Sequence, residues 1–391
     1  MRAALLGSGV AGLLGIAVGA ASWGGSPLRA GGVERTDTPS AIFLGAAGCA
    51  FVLYLLGLVI LRRHGGGVAL VCAVAGAIQL VPLAGPLVIS GDVYSYWAYG
   101  RLAAVHDANP YAVPPVRFRA DPAVQNVAPA WQRTTSVYGP AFTAASAELE
   151  TTAGGSAELS SFVYRLVAAT GMLALVALAA LLAPVPSFGA AFVGWNPLLA
   201  IDFAGGGHND VWMMVFVLAA LAVAARRPVL AGTAWALAAG VKIVAVGLLP
   251  LRMLASGRNE ARRMALGFAV AAAVGACAAS LFFGTAWLTA PGPIAHKHAA
   301  WALGSRLGLL GLPRWVALVP LALALPWLVR GARHGRPRMG AASALGLLAT
   351  PWLLPWYAVW AVPLATIEDD SLGWALALAL TAYLLADRVP V

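Results

Sequence analysis

The chain has 391 residues, of which 61% are hydrophobic and only 10% are charged. Soluble domains carry about 25% charged residues, so a soluble globular fold of this length is excluded. The formal net charge is +10, and in a soluble protein such an excess suggests nucleic-acid binding. Here the arginines lie mostly in short stretches between apolar runs, where the positive-inside rule accounts for them. We therefore expect no nucleic-acid partner.

Apolar runs of about 20 residues recur along the whole chain, which is the length that a helix needs to cross a bilayer. The sequence therefore predicts an all-α polytopic membrane protein with about 11–13 membrane-spanning elements. We detect no internal repeat and treat residues 1–391 as a single transmembrane domain. Full spans are predicted over 3–23, 41–61, 67–89, 161–183, 188–203, 211–225, 264–283, a stretch that ends at Arg330, and 371–386.

The first apolar run follows Arg2 and ends in small residues, so two interpretations are open. Gly19-Ala20-Ala21 is suitable for signal-peptide cleavage, and a retained first helix is the interpretation that we favour. The cysteines Cys49, Cys72 and Cys277 all lie inside apolar runs and have no metal-ligand spacing. They predict neither a disulfide nor a zinc site.

The segment 91–160 is the longest part of the chain without a predicted span, and it holds the densest group of acidic residues. Because Arg62 and Arg63 are expected on the cytoplasmic side, parity places this segment outside. We predict an extracytoplasmic loop with amphipathic surface helices. One of them runs from Ser95 to His106, and Asn109-Pro110 stops it.

Two apolar stretches are too short or too interrupted for ordinary pairs of crossings. Residues 228–254 contain Lys242 in the middle, and a second stretch is broken by Pro351 and Pro355. Shortened helices at membrane depth are tolerated where they line a cavity inside the protein. We expect short helices that meet at Gly240-Val241-Lys242 and again near Trp352 to Trp356.

Asp92 follows the third apolar run directly, at the boundary between hydrocarbon and water. An ionisable group at such a boundary is costly unless it has a function, so Asp92 is a candidate catalytic base. The alternative is an interfacial aspartate that only ends a helix.

The most specific polar block is Gly205-Gly206-Gly207-His208-Asn209-Asp210. The glycines permit close approach of the backbone, and His208, Asn209 and Asp210 offer three polar side chains in succession. They are candidates for binding a sugar or an acceptor. A simple helix cap is the alternative, although a cap needs only one such residue.

Five basic residues are candidates for binding a phosphate, because fixed cations stabilise negative charge in a dry site. The first is Lys242, for which a lysine that reaches out to the interface is the alternative. The others belong to an outer loop and its end, where plain loop surface is the alternative: His296, Lys297, His298 and Arg306.

Aromatic residues complete the candidate site. Tyr94, Tyr138, Trp352 and Trp356 are predicted to line a sugar pocket, whereas an interfacial belt is the default for tryptophans at such positions. His208, His296 and His298 would serve as metal ligands if they met in space, but their spacing does not require it. We predict neither a metal nor a cofactor.

Several of these segments resemble one known family. Asp92-Val93-Tyr94-Ser95-Tyr96 with Asn109-Pro110-Tyr111 is similar to the first large outer loop of the polyprenyl-phosphate-mannose-dependent mannosyltransferases. Asn196-Pro197-Leu198 followed by Gly206-Gly207-His208-Asn209-Asp210 resembles a signature of the same group. The later segments Gly240-Val241-Lys242-Ile243 and Pro351-Trp352 with Pro355-Trp356-Tyr357 extend the likeness. The nearest likeness is to the actinobacterial α-mannosyltransferases that build lipoglycans such as lipomannan.

The resemblance implies a glycosyltransferase C-fold in the plasma membrane, with an active site at the outer face. It implies a sugar donor on a polyprenyl monophosphate and a glycolipid or lipoglycan acceptor among the membrane lipids. It further implies inversion at the anomeric carbon, with Asp92 as the general base. The alternative class is a secondary transporter of a small solute or lipid-linked sugar, which the short helix pairs and the lysine at membrane depth favour.

Overall fold

The computed structural model describes residues 1–30, 37–153, 155–294 and 296–390. Within these ranges the chain is helical and contains no strand, only a single bridge between Arg29 and Val88. The α-helices are α1 (Arg2–Ser22), α2 (Asp37–His64), α3 (Val68–Leu80), α4 (Asp92–Ala104), α5 (Pro122–Asn126), α6 (Pro129–Gln132), α7 (Pro140–Ala153), α8 (Ala157–Leu182), α9 (Pro186–Gly194), α10 (Pro197–Ala200), α11 (Asp210–Val223), α12 (Pro228–Val241), α13 (Leu249–Leu254), α14 (Arg258–Phe283), α15 (Leu303–Leu309), α16 (Val319–Arg333), α17 (Met339–Ala349), α18 (Val362–Glu368) and α19 (Ser371–Leu384).

Shorter helical turns connect these elements. One of them, Ile201–Gly205, is a π-helix. The others are 3-10 helices at Val81–Ala84, Pro115–Phe118, Ile243–Leu248, Ala286–Thr289, Gly292–Ile294, Arg314–Leu318 and Pro355–Trp360.

In the described part of the chain, five helices are long and apolar enough to cross a membrane. They are Arg2–Ser22, Thr38–His64, Ala157–Leu182, Arg258–Phe283 and Arg314–Arg333. Each has at least 20 residues, which matches the thickness of the hydrocarbon core. The predicted class, an all-helical polytopic membrane protein, is confirmed.

The predicted 11–13 spanning elements are not all of crossing length. The remaining apolar runs form shorter helices, because prolines and glycines interrupt them. These are Val68–Ala84, Pro228–Val241, Ile243–Leu254, Met339–Ala349 and Ser371–Leu384. The expected breaks lie where the sequence placed them, since α12 ends before Lys242 and α17 ends before Pro351.

The segments predicted as two separate spans, 188–203 and 211–225, differ from the prediction. Pro197–Gly205 and Asp210–Val223 form a bent pair with an angle of 118° between its halves. Pro197 starts α10, and the π-helix Ile201–Gly205 leads into the glycines. A proline and a run of glycines explain the break, since neither supports a continuous helix.

The main core lies where α1, α2, α3, α8 and α9 pack around Trp195. The Trp195 side chain is fully buried, and its indole N–H donates to the Val71 carbonyl at 3.2 Å. Helix α1 belongs to this core through Val10 and Leu14, which are completely buried.

A buried arginine fixes the break in the bent pair. The Arg165 guanidinium on α8 donates to the carbonyls of Ala204 and Gly85, each at 2.8 Å, and to that of Pro82. These carbonyls lie at or near the ends of the helical turns Val81–Ala84 and Ile201–Gly205. Arg165 therefore ties the turn before His208 to the end of the third apolar run.

The predicted loop 91–160 carries helices α4 to α7, none of which is of crossing length. Helix α4 runs from Asp92 to Ala104 and so begins three residues earlier than the predicted Ser95. A second small core, with Tyr96 and Trp97 at its centre, holds these helices against α8. Asp92 is thus the first residue of α4, a helix in which most side chains are buried.

Candidate functional site

The bent pair brings the polar block next to Asp92. Gly207 has φ of +75°, a conformation that favours glycine. A Cβ at this position would lie 2.5 Å from Cγ1 of Val93, the neighbour of Asp92 on α4. The glycine therefore permits the turn and also the close approach of the two segments.

Asp92 and His208 face each other at this junction. The distance between Asp92 Oδ2 and His208 Nδ1 is 3.7 Å, and the His208 ring is stacked on Trp356 with centroids 3.5 Å apart. His208 is fully buried, whereas the Asp92 side chain is 23% exposed. Burial raises the pKa of Asp92 above its usual value, although Arg388 and Lys242 oppose this shift. A carboxyl with a raised pKa is a better proton acceptor.

A buried ion pair forms the second half of the site. Lys242 Nζ donates to Asp210 Oδ1 at 2.7 Å, and the same oxygen accepts the indole N–H of Trp360 at 2.7 Å. The ammonium also lies 4.6 Å from the ring centroid of Tyr357. The lysine is therefore held in place by an acid and by aromatic faces, and it does not reach away to the interface.

Several buried polar atoms in this region have no protein partner. Among the residues that the structure describes, both ring nitrogens of His208, both amide atoms of Asn209 and Oδ2 of Asp210 make no hydrogen bond. Buried polar groups are nearly always hydrogen-bonded, so unpaired ones need an explanation. Hydroxyl groups of a sugar match these donors and acceptors.

Tyr138 reaches the cluster through a contact between its loop and the end of α12. The N–H of the following residue, Gly139, donates to the carbonyl of Val241 at 3.1 Å. A Cβ on Gly139 would lie 2.1 Å from the carbonyl oxygen of Gly240, so this approach requires a glycine. Burial raises the pKa of the Tyr138 phenol, and the charge of Asp92 adds to the shift.

Lys297 forms the outer edge of the cluster. Its Nζ lies 3.3 Å from the ring centroid of Trp131 and 5.8 Å from that of Trp352. Burial lowers the pKa of Lys297, and the nearby charge of Asp92 raises it. The predicted residues Lys297 and Trp352 therefore lie together beside the site.

Four other predicted residues lie apart from this cluster. His296 and His298 are exposed. Arg306 lies over Trp301 at 4.5 Å and, in the described residues, has no ion-pair partner within salt-bridge distance. Tyr94 lies on α4, and its charged neighbours are Glu158 and Arg165. The roles predicted for these four residues stay predictions.

Two residues that sequence reasoning missed belong to the site. The Arg388 guanidinium lies 5.0 Å from the ring centroid of Trp356, and the same ring stacks on His208. Asp202 is buried in the π-helix, and its Oδ2 has no partner among the described residues. An acid inside an apolar run is a recognisable signal for Asp202, whereas nothing in the sequence around Arg388 points to the site.

The described residues contain no group of three or more histidine, cysteine, aspartate or glutamate side chains that would hold a metal ion. The site as described consists of one accessible carboxylate, a buried ion pair, unpaired hydrogen-bonding groups and aromatic faces.

Comparisons with known proteins show the family of the chain. The model of a family described as "Alpha-(1->6)-mannopyranosyltransferase, N-terminal domain" matches residues 5–258, a range that includes Asp92, the polar block and Lys242. The chain is 28% identical over 319 residues to "Alpha-(1->6)-mannopyranosyltransferase A" of Mycobacterium tuberculosis, covering 71% of this chain and 61% of the relative. It is 27% identical over 352 residues to a "Probable alpha-(1->6)-mannopyranosyltransferase" of Mycolicibacterium smegmatis, covering 72% of this chain and 62% of the relative.

The chain thus spans about three fifths of the length of these curated relatives. No solved structure matches. The family match extends over well more than half of the residues. The chain belongs to the alpha-(1->6)-mannopyranosyltransferase family.

Proposed function

We propose that the chain is an inverting membrane α-mannosyltransferase. It takes mannose from a polyprenyl-phosphate donor and transfers it to a hydroxyl of a glycolipid or lipoglycan on the extracytoplasmic side. The names of the matched relatives suggest an α-(1->6) linkage in the product. Membership of the family supports the reaction class, and the geometry of the site supports the roles of the residues.

The observation that carries this proposal is the position of Asp92 beside unpaired, buried hydrogen-bonding groups. The carboxylate is partly accessible and 3.7 Å from His208, whose ring nitrogens have no other partner in the described chain. Asn209 adds an amide that is likewise unpaired. A sugar hydroxyl held by these groups would lie within reach of a base.

In the proposed step, the acceptor oxygen attacks the anomeric carbon while its proton passes to a carboxylate oxygen of Asp92. The new C–O bond forms as the bond between the anomeric carbon and the phosphate oxygen breaks. The electron pair of that bond leaves with the polyprenyl phosphate. Attack from the face opposite the leaving group inverts the anomeric configuration.

The phosphate needs only charge stabilisation as it leaves. Lys242 is held by Asp210, whose carboxylate is itself held by the Trp360 indole N–H, so it is a fixed cation that needs little reorganisation. Lys297 and Arg388 add positive charge at the edge of the same cluster. Trp356 is buried and its ring contacts both His208 and Arg388, so it holds these two side chains in place.

The test is an assay with radiolabelled polyprenyl-phosphate mannose and an α-(1->6)-mannoside acceptor in proteoliposomes. We expect label in an elongated glycan, together with free polyprenyl phosphate in equal amount. Exchange of labelled donor across the membrane without any glycan product would reject the transferase and favour the transporter alternative.

A further inference from the structure

The loop region from Pro114 to Arg133 carries a second feature that the proposed reaction does not use. An open groove of about 740 Å³ runs between the turn Pro115–Phe118 and helix α6. A neighbouring opening shares part of its wall. The two are lined by three arginines and by no acidic residue: Arg117, Arg119 and Arg133.

These arginines are exposed and free of partners. Within the described ranges, none of the three makes an ion pair or a side-chain hydrogen bond, although the chain forms such pairs elsewhere. The closest acid in sequence, Asp121, is buried and already bound to Arg101 and His106. Three like charges that line one groove make its local potential positive, which favours an anion.

Helix α6 carries residues of the groove wall and one aromatic residue that contacts the edge of the site. Helix α6 supplies Arg133 at its end and Trp131 in its middle. The Trp131 ring lies under Lys297, whose ammonium interacts with the charge of Asp92. The short helix that forms one wall of the groove therefore also contacts the outer edge of the site.

We infer that this arginine groove binds a phosphodiester on the acceptor and so sets the acceptor's register at Asp92. Guanidinium groups form paired hydrogen bonds with phosphate oxygens, which makes arginine the preferred residue for this anion. The inference rests on the proposed function, because it assigns the groove to the acceptor of that reaction. Gln125 in the groove wall suits a neighbouring sugar hydroxyl, whereas the Gln132 amide N–H groups already donate to the carbonyls of Val124 and Val127.

A direct binding measurement tests the groove without turnover. The probes are an α-(1->6)-linked mannotrioside that carries a methyl phosphodiester and the same mannotrioside without it, added to the purified full chain in detergent. We expect the Arg119→Gln/Arg133→Gln variant to lose about tenfold or more in affinity for the charged probe only. The control Arg226→Gln removes an exposed arginine that lies outside the groove. Equal affinities of wild type and groove variant for the charged probe would overturn the inference.

A transfer assay with the same two acceptors shows whether the anion acts in the reaction. We expect wild type to have the lower KM for the charged acceptor, and the groove variant to bring the ratio of the two KM values close to one. Added salt should raise the KM for the charged acceptor. If wild type elongates neither acceptor but binds the charged one through the groove, the proposed function fails and the groove stands.

The source of the phosphodiester is decided by the lipid composition of the vesicles. If the groove serves the acceptor, anionic phospholipid added to neutral vesicles competes with the charged acceptor and raises its KM. If instead anionic lipid stimulates both acceptors equally through the groove arginines, the groove binds bulk membrane lipid, and the assignment to the acceptor is overturned.

Discussion

Replacement of Asp92 by asparagine removes the proposed base and changes little else. The amide has nearly the same size, so the contact with His208 at 3.7 Å and the packing of α4 are expected to persist. Asp92 is the first residue of α4, where a negative charge stabilises the helix by about 0.3–1 kcal/mol. The expected loss of folding stability is therefore no more than about 1 kcal/mol.

The expected loss of activity is much larger. Removal of a general base typically lowers the rate by about 10²–10⁴, which corresponds to about 3–5 kcal/mol of transition-state stabilisation. Initial rates of mannose transfer under saturating donor and acceptor measure this loss, and the thermal-unfolding midpoint in detergent measures folding. The KM values for both substrates should change by less than the rate.

The matched control is Asp107→Asn. Asp107 follows the same helix, is exposed and has a φ of +46°, a conformation that asparagine tolerates well. This variant should transfer mannose at nearly the wild-type rate. If Asp92→Asn retains more than about a tenth of the wild-type rate, or if both variants lose the same amount, the assignment of the base is wrong.

Three further predictions concern charge and packing around the site. The proposed base, Asp92, acts as a carboxylate, and Arg388 lowers its pKa. Arg388→Gln should therefore raise that pKa and move the acid limb of the pH profile of kcat/KM to higher pH. An unchanged acid limb would contradict the placement of Arg388 near Asp92. Lys242→Met leaves the Asp210 carboxylate buried without its cation, which should cost about 3–5 kcal/mol of stability. The double variant Lys242→Met/Asp210→Asn should recover much of the thermal midpoint but not the activity. If Lys242→Met alone is as stable as wild type, the buried ion pair is rejected. Gly267→Ala on α14 would place a Cβ 2.0 Å from a carbonyl oxygen of α12, so it should lower the folding stability by about 1–3 kcal/mol. Gly275→Ala on the same helix meets nothing within 4 Å and should be neutral or stabilising by up to about 1 kcal/mol. Equal thermal midpoints for the two variants would contradict the close packing of α14 on α12.

The sequence by itself determined the class of the protein and the main breaks in its helices. Hydrophobicity is a local property that sums along the chain, so the long apolar runs identify α1, α2, α8 and α14 directly. Prolines, glycines and the single Lys242 in an apolar stretch mark the interruptions, because each acts on the backbone or on the hydration of its own segment.

Only the tertiary structure decided which polar groups meet. Asp92 and His208 are more than 100 residues apart, and their approach depends on the bend of 118° and on the absence of a Cβ at Gly207. No local pattern specifies such a contact, since it follows from how the helices pack.

Arg388 is the clearest example of what local reasoning leaves out. It follows the last helix in a stretch of ordinary composition and reaches the site only because α19 returns beside the 3-10 turn Pro355–Trp360. The sequence determines where each helix begins and ends through local preferences. The electrostatic environment of the carboxylate is set by distant residues, because Coulomb interactions depend on positions in space.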